Sequence, residues 1–142
     1  MAGSVHQPIV VTHEGGVRFA AQVRSHRIVV DQPERAGGAD SGPTPIELLG
    51  TALGTCIAYY VQQFLNARDL PYQGMRVEVE QHKATNPNRI GTFAARVVLP
   101  APLPAACDEP LERVVRSCPA HGTLTHAAKV LITIEPEAAA AA

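Results

Sequence analysis

Thr44-Pro45-Ile46-Glu47-Leu48-Leu49-Gly50-Thr51-Ala52-Leu53-Gly54-Thr55-Cys56-Ile57-Ala58-Tyr59-Tyr60-Val61-Gln62-Gln63-Phe64 is the stretch that decides the architecture. Its start is marked twice over. Thr44 suits an N-cap, with Pro45 at the first helical position and Glu47 at the third, the pattern of a capping box. Leu49, Leu53, Cys56, Ile57, Tyr60 and Phe64 then recur at helical spacing, while Gly50, Thr51, Gly54, Thr55 and Ala58 keep another side small rather than charged. A helix apolar on one side and small on the other is expected to pack on several sides, so residues 44–69 are read as a central helix.

Short strands precede it. Val17, Phe19, Ala21 and Val23 alternate with more polar neighbours, Ile28-Val29-Val30 follows the Arg24-Ser25-His26 break, and Ile9-Val10-Val11 suits a shorter edge piece. Two or three antiparallel strands are therefore expected within 1–31. The Gly- and Pro-rich segment from Gln32 to Pro43 reads as an irregular loop of a length often put to use. Beyond the helix, Val77 and Val79, a bend at Asn86-Pro87-Asn88, and Phe93, Ala95, Val97 and Leu99 predict a hairpin over 75–99. Asp108 is the expected N-cap of a second helix, with Leu111, Val114 and Val115 on one face and i,i+4 pairs Glu109–Arg113 and Glu112–Arg116 on the other. Pro119 sets Cys118 at a helix end within a 108–126 helical region. Val130-Leu131-Ile132-Thr133-Ile134 reads as a last strand within 129–135, followed by an alanine tail. Strands, helix, hairpin, helix, strand is an α+β order, without the regular alternation of a doubly wound sheet.

Composition narrows the chemistry. The 142 residues fit a single domain, 1–142, and are 46% hydrophobic with a formal net charge of −1. Lys and Arg are scattered, which argues against a nucleic-acid face. No apolar run reaches membrane-spanning length, and Met1 to Pro8 lacks a signal pattern. Three cysteines are too few for a disulfide scaffold and leave one over. A cytoplasmic protein with reduced thiols at rest is the expectation.

Two of those cysteines sit on rigid elements. A peroxide-reducing thiol needs thiolate character, a nearby cation, restricted access and a second thiol to trap its sulfenic acid. Cys56 lies about three turns into its helix, where the helix dipole has faded, so a cation must come from elsewhere. Arg35 in the loop is the first candidate, with Arg18 and Arg27 on the early strands as the others. Leu53, Ile57 and the Tyr59-Tyr60 pair are expected to line the site and to favour organic over hydrogen peroxide. A lone cysteine on an apolar helix is more often core than nucleophile. Cys107 reads as incidental, Glu47 as a capping residue, and His82, His121 and His126 as surface or hydrogen-bonded histidines. A zinc reading through Cys118, His121, His126 and Cys56 offers a single short ligand spacing where structural sites usually have two, so no metal or other cofactor is expected. No Gly-x-Ser-x-Gly elbow or phosphate-binding glycine loop is present.

Gly37-Gly38-Ala39-Asp40-Ser41-Gly42-Pro43-Thr44-Pro45-Ile46-Glu47-Leu48-Leu49, Ala52-Leu53-Gly54-Thr55-Cys56 and Cys118-Pro119-Ala120-His121-Gly122-Thr123-Leu124 together resemble the OsmC/Ohr family. The resemblance implies an intertwined homodimer, antiparallel sheets wrapped around two central helices, with sites at the subunit interface. It implies a thiol peroxidase acting on organic hydroperoxides in oxidative stress defence. Cys56 then matches the peroxidatic position, Cys118 the resolving one and Arg35 the thiolate-stabilising arginine, with an external dithiol as reductant. Peroxidase members carry a glutamate directly after the proline. Here that place is Ile46, and Glu47 comes one residue later, about 100° around the helix. The chain is thus closer to the OsmC-like branch, and the alternative is a non-catalytic module that binds a small ligand.

Overall fold

A computed structural model of the chain describes residues 7–138, which leaves Met1–His6 and the end of the alanine tail outside the described residues. Three antiparallel strands, β1 (Val10–Gly15), β2 (Arg18–Val23) and β3 (His26–Val30), form one sheet in the order β1-β2-β3. Val11 faces Ala21, which in turn faces Ile28. β1 is longer than the short edge piece expected, because the Gly15-Gly16 turn closes a hairpin onto β2. Both glycines take positive φ, +117° and +54°, which costs glycine little.

The long helix forms where the cap signals put it. α1 spans Pro45–Asn66, with Thr44 in an extended N-cap geometry. The Glu47 amide donates to Thr44 Oγ1 at 3.3 Å, and the Thr44 amide donates to the Glu47 carboxylate at 2.8 Å. Two further strands, β4 (Arg76–Ala84) and β5 (Arg89–Val98), make the expected hairpin, and Asn86 turns the bend in the left-handed region at φ 55°. Two short helices follow, α2 (Asp108–Arg116) and α3 (Pro119–Thr125). The architecture is α+β with antiparallel sheets, as the element order implied.

One core joins these parts. Leu53, Ile57, Val61, Phe64 and Leu65 of α1 are buried with Leu111 and Cys118. Val77, Val79, Phe93 and Val97 of the hairpin pack on the same cluster. Gly50 and Gly54 are also buried, and they let α1 lie close on β4: a Cβ at Gly54 would stand 3.0 Å from Val79 Cγ2. The small side of the helix is therefore a packed side. The remaining face, with Ile46, Leu49 and Tyr59, stays 43%, 46% and 59% exposed. Within one chain, α1 is covered by β4–β5 on one flank and by α2–α3 on another, and an apolar stripe remains open.

Two expectations change at the C-terminal end. Asp108 is the first helical residue of α2 rather than its cap. The chain already turns through a 3-10 turn at Ala105–Cys107, so Cys107 takes the cap position and the acid falls in the first turn, where the helix dipole favours it. The ion pairs Glu109–Arg113 and Glu112–Arg116 form as expected, at 2.8 Å each. The last strand over 129–135 does not form, and residues 127–138 carry no regular structure. Val130, Leu131, Ile132 and Ile134 are 77–94% exposed. A strand exists only through hydrogen bonds to a neighbouring edge, and among the described residues none pairs with this segment.

Candidate functional site

α1 and α3 bring Cys56 and Cys118 together. Cys56 lies at the edge of the exposed α1 stripe, between Leu49 and Tyr59 on the same side of the helix, and is half-buried. Cys118 is 0% exposed and caps α3. Its Sγ accepts the His121 amide N–H at 3.3 Å, a bond that fixes the sulfur at the helix start. The two thiols are neighbours, with Cys56 packed against the core cluster that holds Cys118, and both are free. Burial pushes the Cys118 thiol up from its ordinary value, and the adjoining Cys56 side chain adds to that. Cys118 is therefore held as a neutral thiol at physiological pH, beside a less buried partner.

The arginines stand elsewhere in the chain. Arg18 donates to Glu14 at 3.1 Å and to Ser41 Oγ at 3.3 Å, and Arg27 also pairs with Glu14. Among the described residues, Arg35 has no carboxylate within salt-bridge distance. It lines a cavity of about 740 Å³ at the start of α1, with Thr44, Ile46, Glu47, Lys83 and Arg89. Cys56 does not line that cavity, and nine residues of helix, about 14 Å along the axis, separate it from Glu47. Glu47 is held below its ordinary value, first by the Thr44 amide and hydroxyl and then by the positive charge of Arg35. The carboxylate one place beyond the family position is thus engaged in the cap.

Asp31 went unnoticed in the sequence and organises the whole loop. It is 2% exposed, and its carboxylate accepts from the Gln32 amide at 2.8 Å, the Ala39 amide at 3.2 Å, and the Ser41 amide and hydroxyl at 3.0 and 2.7 Å. Those donors, the Ser41 hydroxyl foremost, lower it from 3.8 to about 2. An aspartate at a strand end before a Gly-rich run was the available signal. Gly38 closes the loop too tightly for any side chain, since its Cβ would meet the Gln32 carbonyl oxygen at 1.9 Å.

Other expectations sort themselves plainly. Leu53 and Ile57 are in the core and do not line the site, because they lie on the inward arc of α1; Leu49 and Tyr59 are the apolar groups flanking Cys56 in the open. Cys107 is half-buried at the start of α2. His82 makes a surface pair with Glu80 at 3.4 Å, and His126 Nδ1 lies 3.2 Å from the Gly122 carbonyl. His121 differs from expectation: its Nδ1 is buried and has no hydrogen-bond partner among the described residues. Among the described residues no three His, Cys, Asp or Glu side chains are grouped as a metal site, and no helix is long and apolar enough to cross a membrane.

Comparison with known proteins follows this layout. Residues 38–133 match the family described as OsmC-like protein. No curated protein sequence matches the chain significantly. Among solved structures, an osmotic stress induced and detoxification response protein from Psychrobacter arcticus 273-4 superposes with a TM-score of 0.75 at 19% identity, covering 87% of this chain and 91% of its own. An OsmC like protein from Mycoplasma pneumoniae gives 0.65 at 20% identity, over 88% and 91%. An organic hydroperoxide resistance protein from Elizabethkingia anophelis gives 0.54 at 19% identity, over 87% and 93%. With the match covering both cysteines and most of the domain, the chain belongs to the OsmC-like protein family.

Proposed function

We propose that this protein is a thiol peroxidase for organic hydroperoxides, with Cys56 peroxidatic and Cys118 resolving. The observation that carries the reading is the adjacency of the two free thiols, one sealed and neutral and the other at the edge of an open apolar face. Cys56 thiolate attacks the peroxide O–O bond, releases the alcohol and becomes a sulfenic acid. Cys118 condenses with it, water leaves, and an external dithiol reduces the disulfide. Leu49 and Tyr59 beside Cys56 suit an organic rather than an inorganic peroxide. Structures named as organic hydroperoxide resistance proteins share the fold.

The protein works as a homodimer in a reducing compartment, the cytoplasm, and a cation reaches Cys56 across the dimer interface. Supporting this are three apolar surfaces left bare in one chain: the α1 stripe, Val10, Val11 and Phe19 of the N-terminal sheet, and Val130 to Ile134. Exposed apolar area on this scale is characteristic of an interface. Arg35 remains the favoured cation because, unlike Arg18 and Arg27, it forms no salt bridge among the described residues. The assay is dithiol-dependent consumption of an alkyl hydroperoxide, run beside sedimentation. Wild type turns over as a dimer, Cys56→Ser is inert and Arg35→Ala is at least tenfold slower. Equal rates in wild type and Cys56→Ser defeat the reading.

A second reading, a binding module without turnover, draws on one observation: Glu47 is engaged in the α1 cap instead of holding an arginine at the thiol. Mass analysis after mild peroxide separates the two. A loss of two hydrogens at Cys56–Cys118 supports the enzyme, and unchanged thiols support the module.

A further inference from the structure

We propose that the cavity at the start of α1 binds a small organic phosphate ester, with Arg35, Lys83 and Arg89 holding the phosphate. The thiol pair has no part in it, since neither Cys56 nor Cys118 lines this cavity.

The distribution of unpaired positive charge points there. The chain has twelve Lys and Arg side chains. Arg18, Arg27, Arg76, Arg96, Arg113 and Arg116 are in ion pairs with glutamates, and Arg68 lies over the Phe64 ring. Among the described residues that leaves Arg24, Lys129 and the three that line one cavity of about 740 Å³, Arg35, Lys83 and Arg89. Those three come from separate elements: the 3-10 turn Glu34–Ala36, β4 and the first residue of β5. A cleft that gathers charge of one sign focuses its field on an incoming anion.

The walls are braced to one another. Asp31 ties down the loop that carries Arg35, through the Gln32, Ala39 and Ser41 amides. Gln81 Nε2 of β4 donates to the Ile46 carbonyl at 2.7 Å and so joins the hairpin to the first turn of α1. Arg89 Nη1 donates to the Thr85 and Pro87 carbonyls at 3.3 and 3.0 Å, which sets its guanidinium at the hairpin bend. Its Nε and Nη2 make no hydrogen bond among the described residues. A site held open in this way has little ordering to undergo on binding.

The lining narrows the ligand. Asp40 and Glu47 are also present, but Glu47 already accepts the Thr44 amide in the α1 cap, and three cations against two carboxylates leave the cavity positive. Pro33, Pro45, Ile46 and Ile90 supply an apolar side for an organic body. The volume is that of a small-molecule site, larger than an inorganic anion fills. One arginine fork satisfies a carboxylate, whereas cations from three directions suit the three oxygens of a phosphate monoester.

Phenyl phosphate is the probe, titrated by calorimetry into the full-length protein at low salt. Benzoate serves as the carboxylate control and inorganic phosphate as the control without a body. Wild type binds phenyl phosphate more tightly than either. The peroxidase reading also calls on Arg35, so the variants are made on the hairpin, where Lys83 and Arg89 are exposed and their replacement leaves the core intact. Loss of one charge-assisted hydrogen bond weakens binding about tenfold, the effect expected of Lys83→Gln and of Arg89→Gln. Arg24→Gln and Lys129→Gln, which remove unpaired cations outside the cavity, leave the affinity at the wild-type value. The proposal is overturned by no binding of phenyl phosphate, by equal affinity for benzoate or inorganic phosphate, or by equal weakening in Arg24→Gln and Lys83→Gln. No thiol or peroxide enters the assay, so its failure leaves the peroxidase reading standing, and inertness to hydroperoxide leaves this site standing.

Discussion

Gly54→Ala probes the spacing on which the thiol pair depends. Two effects oppose each other. Replacing a mid-helix glycine by alanine ordinarily stabilises by about 0.5–1 kcal/mol, through backbone entropy. Against this, the new Cβ stands 3.0 Å from Val79 Cγ2, where carbon atoms prefer about 3.5–4.0 Å. The deficit is roughly 0.5–1 Å, and Val79 is a β-branched residue in a strand, with little rotamer freedom to retreat. Overpacking of this order costs about 1–3 kcal/mol, so the net expectation is destabilisation by about 1 kcal/mol. The displaced helix carries Cys56, two residues on, out of its native position against the Cys118 cluster, so disulfide formation slows as well. Urea denaturation supplies the first readout, and the rate of Cys56–Cys118 disulfide formation under mild peroxide, followed by mass analysis, supplies the other. Val79→Ala alone should cost about 1 kcal/mol for the half-buried methyls it removes. In Gly54→Ala/Val79→Ala the methyl lost on β4 makes room for the one gained on α1, and the double variant should be no less stable than Val79→Ala. Full stabilisation by Gly54→Ala, or simple additivity in the double variant, would refute a helix–sheet contact at this distance.

Other outcomes follow from the same geometry. Asp31 sits at about 2 in the fold against 3.8 when free, so its contribution is fully present above about pH 4 and is lost as pH falls toward 2. Asp31→Asn is therefore less stable than wild type at neutral pH, and the gap closes on acidification; thermal melts across that window check the sign. Iodoacetamide at neutral pH should label Cys56 well ahead of Cys118, which is sealed and neutral, with Cys118 reacting only after urea is added. Mass mapping that finds Cys118 labelled first would remove the sealed partner from the scheme. Thr44→Ala loses the α1 cap and about 1 kcal/mol, whereas Thr44→Ser keeps the hydroxyl and stays near wild type in the same melts.

The parts legible in the sequence are those governed by local rules. Thr44, Pro45 and Glu47 announce α1 because a capping box satisfies its own amides within four residues. Alternation located β2, β4 and β5 for a similar reason, since a half-covered pleat leaves a period of two. What failed needed partners remote in sequence. Ile132 and its neighbours have a strand's composition, but composition supplies no edge to pair with. The small face of α1 announced a helix packed on several sides, but that Gly50 and Gly54 are small because β4 comes so near shows only in the fold. Asp31 drew no notice in the sequence, and only the return of the chain at Ala39 and Ser41 shows how much of the loop it ties down. His121 was misjudged for the same cause: its third position in α3 appears only once Pro119 is recognised as starting a helix.

The differing surroundings of the two sulfurs bear on which can act first. A peroxide has to reach its target, and Cys118 at 0% exposure offers no approach, while Cys56 borders a face open in the single chain. A nucleophile also needs its charge stabilised, and for Cys118 the backbone amides of His121, at 3.3 Å, and Ala120 are outweighed by burial. On the proposed reading, the order of reaction would follow from where the helices end: Pro119 starts α3, and the cap at Cys118 would hold the second thiol neutral until a sulfenic acid formed beside it. None of the three candidate cations is free to serve Cys56 where it stands, since Arg18 and Arg27 are tied to Glu14 and Arg35 lines a cavity that Cys56 does not reach. The bare stripe around Cys56 and the missing positive charge are two sides of one deficit. A single second subunit, laying its loop or sheet across α1, would remedy both at once.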